Sequence, residues 1–246
     1  MGFFKDTAKT IVLHSRKVFT RFRRIDRETV AAFFLQGSGL EIGALHNPLI
    51  VPAKAHVRYV DRMTVEELRL QYPELSKLPL TTVDIIDDGE SLMTVPPESQ
   101  DFVIANHFLE HCENPIKTVE HLLRVLKNGG ILYMCIPDKR FTFDRDRPVT
   151  PFGHLERDFR EGPAWSRRQH FEEWVELMEK VTPAGKAHER VEELIAMNYS
   201  IHYHVWTQSE LLELFHKLRE VYNMKVELEL FLKLGEEMLV VLRKVL

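Results

Sequence analysis

From residue 38 onward the apolar positions fall into short runs separated by stretches of helical spacing. "GLEIG" (39–43) is a short apolar strand that ends in glycine, and "HVRYVD" (56–61) alternates and stops at an acid. "LTTVDIIDD" (80–88), "DFVIAN" (101–106) and "GGILYMCIPD" (129–138) read as a third, fourth and fifth strand. Between the last two, Pro115 opens "PIKTVEHLLRVLKNGG", where Ile116, Val119, Leu122, Leu123 and Leu126 recur at helical spacing and Gly129 offers a stop. Further on, "TQSE" (207–210) is a capping box for an amphipathic helix. "MKVELELFL" (224–232) and "EEMLVVLRKV" (236–245) then flank Gly235 as a closing hairpin.

Strands that alternate with helices predict an α/β fold with a seven-stranded, mostly parallel sheet closed by that antiparallel hairpin. Residues 139–206 break the rhythm. There "SRRQHFEEWVELMEKV" (166–181) and "AHERVEELIAMN" (187–198) read as helices, a helical insertion between strands five and six placed to cover the strand ends as a lid. The expected division is a basic amphipathic segment over 1–37 and one domain over 38–246 that carries the 139–206 insertion.

Composition narrows the setting. A chain of 246 residues buries a sizeable core, so its two cysteines, Cys112 and Cys135, need not staple it, and they point to a reducing compartment. No apolar run approaches a membrane span and no secretory leader is visible, so a cytoplasmic location is expected. The net charge of −4 hides an asymmetry: residues 1–27 hold eight Lys and Arg against Asp6 and Asp26. That segment is read as a capping helix with its charges in water, with contact to an anionic membrane as the alternative. Nothing in the pattern calls for nucleic acid.

The strand ends carry the candidate chemistry. Gly43 closes strand one, where a glycine lets the backbone approach a ligand, and Asp61 follows eighteen residues later at the end of strand two. That is close to the spacing at which an acid binds ribose hydroxyls. Asp88 and Gly89 end strand three, and Asn106 and His107 end strand four. Glu41, an acid inside an apolar strand, is costly to bury unless something pairs with it. Each of these residues alone is an ordinary turn residue; four strand ends in register are not.

These residues resemble the class I S-adenosylmethionine-dependent methyltransferases, which are Rossmann-like, in the branch with a Leu-Glu-His motif after strand four. The resemblance covers about residues 38–138 and, more loosely, the closing hairpin. "LEIGALHNP" resembles the loop that meets the methionine part of the cofactor, and "VRYVD" the strand whose acid binds ribose. "DDGESL" resembles the block beside the adenine, and "DFVIANHFLEHCENP" the fourth block. The resemblance implies S-adenosyl-L-methionine as cofactor, held by Glu41, Gly43, Asp61, Asp88, Gly89, Asn106 and His107. It also implies methyl transfer to a substrate oxygen, nitrogen or carbon, and O- or N-methylation of a small-molecule or sugar-like acceptor is expected. The family's first loop carries several glycines, and only Gly43 stands here, which opens a second reading as a cofactor-binding scaffold without turnover.

His107, Glu110 and His111 also fit H-x-x-E-H, a zinc-protease pattern. Such a site needs a helix to present both histidines on one face, and Asn114-Pro115 leaves no room for one, so no metal is expected there. Candidates for a general base are His154, His202 and His204, with Asp138 and Asp144. Eight Lys and Arg between Lys139 and Arg168 would suit an anionic acceptor if several faced the site. Interspersed acids favour a salt-bridged surface instead.

Overall fold

The computed structural model describes residues 25–246. The basic run before Ile25, and any membrane contact made through it, lies outside the described residues. Among these residues no helix is long and apolar enough to cross a membrane.

Seven strands make one sheet: β1 (Gly37–Ile42), β2 (Ala55–Asp61), β3 (Ile85–Ile86), β4 (Gln100–Ile104), β5 (Leu126–Pro137), β6 (Val226–Leu234) and β7 (Glu237–Lys244). Their order is β3-β2-β1-β4-β5-β7-β6. The first five pair in parallel, and β7 runs antiparallel to both β5 and β6. The predicted architecture stands, closing hairpin included.

Alternation in the central strands decides which side chain meets which layer. Along β5, Leu132, Met134 and Ile136 point to one face, which is covered by α3 (Pro115–Val125) and α7 (Gln208–Glu220). Ile131, Tyr133 and Cys135 point to the other, where Val30, Ala31 and Leu35 of and just after α1 (Arg27–Phe34) pack. The packed unit therefore takes in residues before 38. Each fully buried Leu, Ile or Val contributes about 1.5–3 kcal/mol, so the two layers account for most of the driving force. Both helix starts read from the sequence are present. Asn114 accepts from the Lys117 amide ahead of α3, and Thr207 and Glu210 form the capping box of α7.

Three boundaries differ from expectation. β3 is two residues long instead of spanning 80–88, because Asp84 spends its amide and carboxylate on Tyr59 and starts the pairing late. The helix after Pro115 ends at Val125, since Leu126 already pairs with Gln100. Gly129, with φ +77°, therefore lies inside β5, where the pairing with β4 slips register, and is not a helix stop. The first insertion helix ends earlier than 181: α5 (Ala164–Trp174) passes into a single wider turn over Val175–Glu179.

The insertion contributes α4 (Phe152–Glu161), α5 and α6 (Ala184–Ala196), and an extended run over 200–206 returns the chain to α7. It has a small core of its own, made of Phe171, Val175, Val191, Leu194, Ile201 and Tyr203. Tyr203 and His204 donate their amides to the Glu110 carbonyl, which fastens the return run to the end of β4.

Candidate active site

Strand order reverses between β1 and β4, and such a switch point opens a crevice at the carboxyl ends of parallel strands. A cavity of about 330 Å³ lies there. Gly43, Asp61, Asp88, Gly89 and His107, five of the seven residues predicted for the cofactor, line it. Gly43 has φ +62° with open space where a side chain would stand, so it turns the chain and leaves its backbone bare. At Gly89 a Cβ would lie 2.5 Å from Ile42 Cγ2 and 2.8 Å from Phe108 Cζ, so only glycine lets β3's loop close against β1.

Asp61 is half-buried at the end of β2. Burial pushes its carboxyl up, and the amides of Arg62 and Met63 partly restrain that rise. Beside it, Arg62 donates to the Tyr72 hydroxyl at 2.6 Å and to the Asn198 carbonyl at 3.2 Å. Tyr72 packs against Tyr199 with ring centroids 5.5 Å apart. Tyr199 and Ser200, from the end of the insertion, complete the cavity wall. The sequence signal missed this wall, and it missed Phe108 and Glu90, because neither stands at a strand end or in a recognisable spacing; His111, read as packing under the cofactor or fixing the loop, also lines the cavity.

Two predicted cofactor residues turn away from the cavity. Glu41 is 2% exposed, and its carboxylate accepts from the Leu49 amide at 2.9 Å. It pins the loop that follows Gly43, and burial raises its pKa to about 7 against that amide. Within the loop Leu45 takes φ +50°, so a leucine makes the left-handed turn that a further glycine would make more easily. Asn106 accepts from the Cys135 amide at 2.9 Å and ties β4 to β5.

His107 is held by charge. Its Nε2 lies 3.0 Å from Glu237 and 2.8 Å from Arg27 Nη2, and Arg27 Nε donates to Glu237 at 2.6 Å. Arginine can only donate, so Nε2 either accepts from Arg27 or gives a proton to Glu237, and both side chains meet at one carboxylate. Burial alone would push Glu237 up, but His107 and Arg27 outweigh it and hold its pKa at about 2, against an ordinary 4.5. The folded state thus gains stability from this carboxylate above pH 4.5 and loses it as pH falls towards 2. Urea midpoints of the Glu237→Gln variant should accordingly fall less than those of the parent between these pH values.

The H-x-x-E-H residues sit on a turn and not on a helix, with His107 Nδ1 3.6 Å from Glu110 Oε1 and Glu110 grouped with His111 and His202. Leu109–His111 is one 3₁₀ turn, and His111 donates Nδ1–H to the Ile201 carbonyl at 2.9 Å while His107 faces Glu237. None of the three candidate histidines lines the cavity, and His202 meets it only through His111. Its ring packs edge-on against His111 at 4.6 Å, and its Nδ1 lies 2.6 Å from Asp144 Oδ2. Burial would raise Asp144, but His202 and Arg147 hold it down as a carboxylate. Glu110, 1% exposed, lies close by, and neither of its oxygens has a hydrogen-bond partner among the described residues. His154 and His204 sit inside the insertion and do not reach the cavity. Asp138 is fully buried and binds Arg140.

None of the eight basic residues between Lys139 and Arg168 lines the cavity. Arg140, Arg145, Arg147, Arg157, Arg160, Arg167 and Arg168 pair with acids, and Lys139 donates to the Arg145 carbonyl.

Comparison with known proteins agrees with the geometry. The family model of the Methyltransferase domain matches residues 16–218. A protein of Mycolicibacterium smegmatis named "Probable S-adenosylmethionine-dependent methyltransferase" is 32% identical over 94 residues, which are 37% of this chain and 33% of that protein. The chain thus spans about a third of the length of that relative. A solved structure from Rhodobacter sphaeroides described as "Putative Zn-dependent Alcohol Dehydrogenases" shares the fold alone, with a TM-score of 0.54 and 16% identity over 91% of this chain and 92% of that one. A SAM-dependent methyltransferase from Aquifex aeolicus covers 87% of this chain and 85% of its own, with a TM-score of 0.45 and 14% identity. With the family model matched across most of its length, the chain belongs to the class I S-adenosylmethionine-dependent methyltransferases, and S-adenosyl-L-methionine is its cofactor.

Proposed function

We propose that the cavity binds S-adenosyl-L-methionine and that the protein methylates a small acceptor at oxygen or nitrogen. One observation carries the reading: Asp61, bare Gly43 and close-packed Gly89 meet around one cavity at the strand-order switch. Asp61 would accept from the ribose hydroxyls, Gly43 would give its backbone to the methionine end, and Asp88 with Gly89 would flank the adenine. When bound, the cofactor supplies a methyl group on a positively charged sulfonium. Glu41 and Asn106 support the pocket from behind. The acceptor needs no negative charge, because the basic residues of the insertion are already engaged.

The packed domain in this reading takes in α1, and the 139–206 insertion is its lid. Three contacts support that role: Gln71 Nε2 donates to the Met197 carbonyl at 2.9 Å, Arg62 to Asn198, and Tyr199 to Glu74 at 3.4 Å. They bridge the rim of the cavity, so the lid shields the reacting groups from water. His202 is the proposed general base. Asp144 fixes its Nδ1–H and leaves Nε2 to take a proton from the acceptor.

Calorimetric titration with S-adenosylhomocysteine tests the cofactor reading, and micromolar or tighter binding is expected. No binding to the full chain would overturn it. Binding without transfer to any acceptor would favour the scaffold reading that the single-glycine loop suggests. Once an acceptor is known, His202→Gln should lower kcat by about 10²–10⁴-fold while leaving S-adenosylhomocysteine affinity intact. An unchanged kcat would remove His202 from the chemistry.

A further inference from the structure

We infer that His154, Asp158, His170 and His204 form a metal site, of the size and donor set of a zinc ion, inside the helical insertion. His154 and Asp158 stand one turn apart on α4, so they share a face, while His170 comes from α5 and His204 from the return run. Their polar atoms converge. His154 Nε2 lies 3.1 Å from His170 Nε2 and 3.2 Å from Asp158 Oδ2, and His204 Nε2 lies 3.7 Å from the same oxygen. Ligands at about 2.0–2.2 Å from zinc in a tetrahedron are about 3.3–3.5 Å from one another. The observed spacings bracket that value.

The rings agree with the atoms. The three imidazoles meet pairwise at 5.0, 5.4 and 5.0 Å, with interplanar angles of 73°, 70° and 80°. No ring stacks face to face on another, an arrangement that inward-pointing ligands share with ordinary edge-to-face packing. Asp158 and His204 are fully buried and His170 is 9% exposed. Among the described residues Asp158 Oδ2 accepts no hydrogen bond and faces only the His154 and His204 nitrogens, in a place where a carboxylate without a cation is expensive. Arg147 is committed to Asp144 and Glu173. A divalent cation would satisfy the carboxylate and the inward nitrogens together.

The surroundings orient this donor set. Ser166 donates to Asp158 Oδ1 at 3.0 Å, which leaves Oδ2 aimed at the histidines. Trp206 stacks on His204 at 5.8 Å, and Trp165 packs against His154 at 4.8 Å. Two contacts compete with an ion: His154 Nε2 and His170 Nε2 can share a proton at 3.1 Å, and the Glu113 carbonyl lies 3.5 Å from His204 Nε2, at the weak end of hydrogen bonding. Four protein ligands in a closed setting mark a structural ion with no open position for catalysis. It would fasten α4, α5 and the return run together a few residues from Tyr199 and Ser200 of the cavity wall. The ligand set lies outside residues 107–111 and does not depend on the cofactor reading.

The test is zinc content by mass spectrometry of the full chain, purified without chelator and dialysed against micromolar zinc. About one zinc per chain is expected in the parent, and less than about a tenth in His170→Ala and Asp158→Asn. His154→Gln, at the most exposed ligand, should lose the ion while keeping the parent's near-ultraviolet circular dichroism. Ser166→Ala should bind zinc about 10–100-fold more weakly. Chelation should lower the thermal midpoint and added zinc restore it, and cobalt should give the visible spectrum of a tetrahedral ion. Zinc below about a tenth per chain in the dialysed parent would overturn the proposal. So would a content unchanged in His154→Gln and His170→Ala, or one lost in His111→Ala or His202→Ala, which would move the ion to the neighbouring cluster.

Discussion

Arg147→Ala should destabilise the protein by about 3–5 kcal/mol, the cost of breaking a buried ion pair from one side. The Arg147 side chain is 1% exposed, and it donates to Asp144 Oδ1 at 2.9 Å and to Glu173 Oε1 at 2.6 Å. Removing it leaves Asp144, equally buried, with His202 as its remaining strong partner, and strands Glu173 at the edge of the insertion core. Restoring the charge as lysine would recover only part of the loss, because one ammonium cannot span both carboxylates as the guanidinium fork does. Urea unfolding of parent, Arg147→Ala and Arg147→Lys measures this. A loss below about 1 kcal/mol would mean that water reaches the cluster and the pair behaves as a surface one.

Asp61→Ala should weaken binding of S-adenosylhomocysteine by about ten- to hundred-fold, equivalent to about 1.5–3 kcal/mol for a charge-assisted hydrogen bond. The residue is half-buried at a strand end, so its loss removes acceptors from the cavity without opening the core. Its raised pKa adds a signature. Affinity in the parent should fall on acidification at a higher pH than an ordinary aspartate would give, and that dependence should vanish in Asp61→Ala. Calorimetry at two pH values reads both effects, and unchanged affinity would remove Asp61 from the ribose.

The sheet was legible because its alternation is strong. Leu132, Met134 and Ile136 against Ile131, Tyr133 and Cys135 leave a strand buried on both faces as the natural reading. Boundaries were less legible where a side chain overrode the local pattern, as Asp84 does in delaying β3. Strand-end glycines and acids found much of the cavity because the parallel topology brings every such end to one edge. Glu41 and Asn106 share that signature, and only their partners, the Leu49 and Cys135 amides, reveal them as braces. His154, His202 and His204 look alike in the sequence. The fold sets His202 behind His111 and places the other two with His170 and Asp158.

The sequence by itself determined the layered α/β sheet, its closing hairpin and the edge on which the cavity opens. Period-two and period-3.6 burial, together with right-handed crossovers, leave few other ways to cover these apolar runs. Tertiary structure alone decided which residues of the insertion meet. Tyr199 reaches Tyr72 across 127 positions of chain, and His204 reaches His154 across fifty. Contacts between such distant residues leave no periodic trace in the sequence. They form where packed helices happen to bring polar atoms together, and burial then makes each atom's partner a matter of stability.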